Sequence, residues 1–141
     1  MTRRSYAGDV TARDAWAALE LDPGAVLIDV RTRPEWSYVG VPDLAALDKP
    51  LIKIEWQSYP DGARNPNFAA EVAAAGVKPG QKVLLLCRSG ARSQAAAQLL
   101  TAQGWSDCYN VSDGFEGPQD DSNHRGHLAG WKHDGLPWTQ G

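Results

Sequence analysis

The chain has 141 residues, 43% of them apolar, and a formal net charge of -3 from 14 Lys and Arg against 17 Asp and Glu. That is length and apolar content for one compact domain with its own core, without disulfide staples or a structural metal. The acidic balance gives no general drive toward nucleic acid or anionic membrane, so neither is an expected partner and any basic site must be local. The charged start Met1 to Asp9 has no apolar stretch behind it and does not read as a secretory signal, and no apolar run is long enough to cross a bilayer. The expected location is the cytoplasm.

In chain order, Thr11 with Asp14 three residues on forms a helix start, and Trp16 and Leu19 mark its apolar face. Ala25 to Val30, introduced by Pro23-Gly24, is a continuous apolar run that predicts a strand buried on both faces. Leu51 to Ile54 is a second, weaker strand. Asn65-Pro66 places a capping side chain before a first-turn proline and predicts a helix over Phe68–Ala75, stopped by Gly76. Lys82 to Leu86 carries the strongest strand signal. It runs straight into Cys87-Arg88-Ser89-Gly90-Ala91-Arg92 and then a helix over Ser93–Gln103 ended by Gly104, and Asp107 to Val111 makes a last strand. Strands alternating with helices in this order call for an α/β domain, its mostly parallel central sheet covered by helices on both faces. Ligands in such folds bind beyond the carboxyl ends of the strands, where Cys87 is expected.

A cysteine between a buried strand and a helix start sits where free backbone N–H groups and the positive end of the helix dipole converge. Thiol pKa values in such places fall to roughly 3.5 to 7.5, so Cys87 is expected as a thiolate nucleophile. Gly90 lets the backbone curl so that amides point inward around a sulfur or small oxyanion, and Arg88 and Arg92 add positive charge. The run Arg-Ser-Gly-Ala-Arg after Cys87 argues against an inert packed thiol. Cys108, between Asp107 and Tyr109 on a short strand, is the opposite case and is read as a packed thiol.

Cys87 to Ser93, with the upstream Leu27-Ile28-Asp29-Val30-Arg31 and Glu35-Trp36, resembles the rhodanese domain over about residues 10–114. The resemblance implies one rhodanese-like domain across residues 1–141, with 115–141 an extension packed on it. It further implies a sulfurtransferase whose cysteine, here Cys87, takes sulfane sulfur as a persulfide and passes it to a thiophilic acceptor, cyanide or a thiol. Arg88, Ser89, Gly90, Ala91 and Arg92 map onto the family's substrate cradle, and the two arginines point to an anionic donor such as thiosulfate. No cofactor is implied, and a protein persulfide donor or acceptor would differ only in partner. Asp29, Arg31, Glu35 and Ser93 are read as support for the loop, because sulfur transfer to a thiolate needs little proton traffic. Phosphatases and arsenate reductases of the related fold place one more residue between Cys and Arg than the four between Cys87 and Arg92, and the shorter loop suits sulfur better than a phosphoryl group. A second reading is a non-catalytic regulatory or sulfur-relay module on the same scaffold.

Two departures from the family stand out. Val39-Gly40-Val41-Pro42-Asp43-Leu44 occupies the place of a common Gly-His-Ile-Pro-Gly-Ala, so that histidine is absent. The tail beyond Gly114 is additional; Trp131, Leu136 and Trp138 are expected to pin it, and Phe115, His124, Arg125 or Trp131 to border the pocket. His124, His127 and His133 match no zinc spacing and no cysteine accompanies them, so no metal is expected.

Overall fold

A computed structural model describes residues 5–140; Met1–Arg4, part of the charged start read above, lie outside the described residues. Five parallel strands form the central sheet in the order β1-β6-β5-β2-β4. They are β1 (Gly8–Val10), β2 (Val26–Asp29), β4 (Ile52–Lys53), β5 (Val83–Leu86) and β6 (Cys108–Val111). The helices are α1 (Ala12–Leu21), α2 (Arg33–Tyr38), α3 (Phe68–Ala74) and α4 (Ala91–Ala102), and β3 (Val41–Pro42) pairs with β7 (Trp138–Thr139) in a separate antiparallel ribbon. This is the α/β domain expected from the alternation of strand and helix.

The period-two alternation of β5 decides which side of the sheet receives the cysteine. Val83 and Leu85 join a core with Phe68 and Val72 of α3 and Ala96, Ala97 and Leu100 of α4, and Cys87 continues that set. Leu84 and Leu86 face the other way, onto Ala12, Ala15 and Leu19 of α1. Helices therefore cover both faces, and β5, paired with β2 and β6, is inner to the sheet. That is why its four residues are all buried and unbroken by polar ones.

The tail contributes to the α1 side. Phe115 and Trp131 are both fully buried there. Trp131 stands edge-on to Trp16, ring centres 5.9 Å apart, and its Nε1 donates to Pro137 O at 2.7 Å. The same carbonyl accepts from Asp43 N, so one oxygen ties the chain's end to the segment after β3.

Three local expectations differ from the structure. Asn67, not Asn65, precedes α3; Asn65 instead turns back, its Nδ2 donating to Glu55 O and Glu71 Oε2. Helix α4 starts at Ala91, two residues earlier than Ser93, because Gly90 adopts φ +107° and caps it. A Cβ at Gly90 would lie 2.4 Å from Ser112 O, which only glycine avoids. Helix α2 was not foreseen, although Thr32 and Glu35 stand at capping-box spacing with Pro34 in the first turn.

Candidate active site

The sulfur of Cys87 lies between the end of β5 and the start of α4. Gly90 N donates to Sγ at 3.1 Å, and Ser93 Oγ lies 3.2 Å from it. Of the amide ring expected across the loop, the Gly90 bond to sulfur is the one formed among the described residues, and Ser93, read as support, touches the sulfur directly. Cys87 itself is 1% exposed.

Ser93 carries one hydroxyl proton and faces three acceptors: Cys87 Sγ, Gly90 O at 3.3 Å and Asn110 Oδ1 at 2.5 Å. Asn110 is oriented by Asp9: a carboxylate only accepts, so the Asn110 Nδ2 bond of 3.0 Å to Asp9 Oδ1 turns the amide oxygen toward Ser93. Tyr6 OH also donates to Asp9 Oδ1, and Gln94 Nε2 donates to Tyr6 OH. A polar chain thus runs from the surface of α4 through β1 and β6 to the sulfur. Sequence reading missed Tyr6, Asp9 and Asn110, since nothing local marks residues that meet only when β1 pairs with β6.

The carbonyls of the loop point the other way. Phe115 N donates to Cys87 O, and both Glu116 N and Gly117 N donate to Arg88 O, at 2.9 to 3.1 Å. Gly114 nests so closely that a Cβ there would lie 2.3 Å from Arg88 O. The first residues of the tail therefore hold the Cys87 loop by its backbone.

The arginines divide. Arg92 is bound bidentately by Glu35, Nη1 to Oε1 at 2.7 Å and Nη2 to Oε2 at 2.9 Å, and so does not aim a free charge at the sulfur. Glu35 Oε1 also accepts from Thr32 N and Thr32 Oγ1. Burial alone would push the Glu35 carboxyl up, but the hydrogen bonds from Arg92 and Thr32 and the Arg92 charge outweigh it and hold it at about 2. The Glu35 hydrogen bond raises Arg92 against the opposing effect of burial, with the Cys87 and Asp29 charges adding to the rise. Arg88 is exposed and makes no ion pair among the described residues.

Arg88, Arg92, Glu35, Glu116, Arg125 and Tyr59 line a cavity of about 530 Å³ beside the loop. Of the tail residues expected to border a pocket, Arg125 does so here, whereas Phe115 and Trp131 are in the core. On the loop's other side Ser89, Gly90 and Ala91 meet Asp9, Asn110 and Gln94 around about 300 Å³. Asp29 and Arg31 are fully buried and paired, Nε to Oδ1 at 2.9 Å and Nη2 to Oδ2 at 2.6 Å. Arg31 Nη2 also donates to Gly40 O, and the guanidinium carbon lies 4.2 Å from the centre of the Phe115 ring. These two residues brace the segment between β2 and β3 rather than touching the sulfur. Cys108 is buried, Sγ within 3.7 Å of Trp105 O, and burial raises its thiol to about 11.

The chain matches the family model described as the STR4 middle domain over residues 7–141. It is 39% identical over 130 residues to an uncharacterized protein of Rickettsia conorii, covering 92% of this chain and 95% of that one. It is 34% identical over 96 residues to the thiosulfate sulfurtransferase GlpE of Pseudomonas savastanoi pv. phaseolicola, covering 67% of this chain and 73% of GlpE. Among solved structures, that of Rv0390 from M. tuberculosis superposes with a TM-score of 0.87 at 47% identity, covering 96% of this chain and 99% of the other. With Cys87 at the sheet's carboxyl edge and this match along nearly the whole chain, the protein belongs to the rhodanese-like family, in the group of the STR4 middle domain.

Proposed function

We propose that the chain is a sulfurtransferase that carries sulfane sulfur on Cys87, taking it from an anionic donor such as thiosulfate. The observation that carries this reading is the sulfur's setting, at the carboxyl end of β5 with the Gly90 amide at 3.1 Å and the Ser93 hydroxyl at 3.2 Å. Both groups stand within hydrogen-bond reach of Sγ, where they can donate to the sulfur during transfer. The name of GlpE supports the choice of thiosulfate.

In the first half-reaction the Cys87 thiolate attacks the outer sulfur of thiosulfate. A new S–S bond forms, the donor's S–S bond breaks, and sulfite leaves with the electron pair. In the second, cyanide or a thiol attacks the outer sulfur of the persulfide, and the Cys87 thiolate departs as leaving group. Once the sulfur is anionic, the Ser93 proton turns from Asn110 to Sγ, and the Gly90 amide is already aimed there. No cofactor takes part in either step.

Arg88, which makes no ion pair among the described residues, and Arg125 border the same cavity, so the donor's anionic end docks there. Because Cys87 is 1% exposed, a donor docked there reaches Sγ only when the loop or its neighbours shift. That burial favours a second reading, a binding module on the rhodanese scaffold, and one experiment separates the two. Intact mass is taken after thiosulfate and again after cyanide. A gain of one sulfur on the peptide holding Cys87, removed by cyanide and absent in Cys87→Ser, is the expected result. An unchanged mass under thiosulfate overturns sulfur transfer from that donor.

A further inference from the structure

The tail segment after Gly117 brings together three residues that the sulfur chemistry does not use. Asp120, His124 and His127 each offer a donor atom, and those atoms all lie within 4.8 Å of one another. We propose that they form a binding site for a divalent transition ion of borderline softness, zinc foremost, with water completing the coordination.

The carboxylate is held ready for this. Asp120 Oδ1 accepts from the backbone N–H groups of Ser122 and His124, both at 2.9 Å, which fixes the loop around it. Its other oxygen, Oδ2, points at His127 Nδ1, 2.9 Å away. Asp120 N closes the turn by donating to His124 O at 2.8 Å. One carboxylate oxygen thus shapes the loop while the other faces the His127 imidazole. The His124 and His127 rings stand 5.8 Å apart at 81°, an arrangement in which both can turn a nitrogen toward one point.

Donor atoms bound about 2.1 Å from a tetrahedral ion stand about 3.4 Å from each other, so the observed spacing needs only a small closure. The His127 side chain already touches the carboxylate and, at 61% exposure, has room to turn about that contact. Two imidazoles and one carboxylate suit zinc and its neighbours, not magnesium or calcium, which prefer oxygen donors throughout. The sequence spacing matches no zinc pattern because the three donors sit on an irregular turn, not on the strand and helix that give the familiar spacings. His133, the remaining histidine, pairs with Asp134 and takes no part.

The site is next to the cavity wall. Arg125 stands between the two histidine ligands in sequence, its Nη1 donating to Gly117 O at 2.8 Å, and Gly126 N donates to Glu116 O at 2.7 Å. An ion held at Asp120, His124 and His127 would tighten the turn that carries Arg125.

The test is zinc titration by calorimetry on untagged full-length protein carrying Cys87→Ser, so that the reactive thiol cannot take the ion and the result is independent of sulfur transfer. One zinc per chain is expected, with a rise in melting temperature. His127→Ala and Asp120→Asn should each weaken binding at least about tenfold, while His133→Ala leaves it unchanged. Asn keeps the oxygen that caps the turn, so Asp120→Asn tests the ligand and not the fold. Absence of uptake, uptake that survives both ligand changes, or equal loss on His133→Ala would overturn the proposal.

Discussion

The guanidinium of Arg92 and the carboxylate of Glu35 are joined by two parallel hydrogen bonds of 2.7 and 2.9 Å, tying the first turn of α4 to the first turn of α2. The Glu35 carboxyl is held at about 2 against 4.5 in the open chain, so the pair's stabilisation is fully present above pH 4.5 and is lost as pH falls through about 2. Both side chains are about one-fifth exposed, so the contribution is about 2–3 kcal/mol at neutral pH. Glu35→Gln should lower unfolding stability by that order at pH 7, and the gap to wild type should close by pH 2. Denaturant unfolding at a series of pH values measures it; a gap independent of pH would mean that charge is not what holds the two helices.

Arg88, without an ion-pair partner among the described residues, lines the cavity where an anionic donor would arrive. Arg88→Ala should raise KM for thiosulfate by about tenfold, corresponding to about 1.4 kcal/mol, and leave kcat largely unchanged. Steady-state kinetics at two ionic strengths check this, since the wild-type KM should also rise with salt.

Ser93 is the side-chain donor on the sulfur. Ser93→Ala removes it, and kcat/KM should fall by about 10- to 100-fold; the buried Asn110 Oδ1 also loses its donor, so unfolding stability should fall by about 1–3 kcal/mol. Transfer rates equal to wild type would leave the Gly90 amide as the sufficient donor.

Gly90→Ala tests the loop's backbone. The new methyl would press on Ser112 O at 2.4 Å in a φ +107° conformation that alanine rarely adopts, so a loss of more than about 2 kcal/mol in denaturant unfolding is expected.

Trp131 is fully buried against Trp16 and α1. Trp131→Ala should cost about 3–5 kcal/mol. Proteolysis should then cut the chain between Gly117 and Gly135 faster than in the wild type.

The sheet and the reactive loop were legible because their signals are local. Val83 to Leu86 is an unbroken apolar run, and the polar Arg88 to Arg92 segment directly follows it. What escaped is non-local or short. Strand β1 has three residues, one a glycine, and β7 finds β3 nearly a hundred residues upstream. Glu35 was read as a brace, but its partner Arg92 lies 57 residues on, so only the fold could show that the arginine is already engaged. The polar residues after Cys87 argue against a packed thiol; the structure nevertheless buries it on the α3 and α4 side of the sheet, while the Phe115–Gly117 amides gather the loop's carbonyls.

That gathering makes the C-terminal segment an anchor. Trp131 N holds Gly114 O at 2.9 Å, and Phe115 N, one residue further, holds Cys87 O at the same distance. Trp131 and the peptide of Cys87 are thus two hydrogen bonds apart, so the segment that buries Trp131 also anchors the backbone that carries the sulfur.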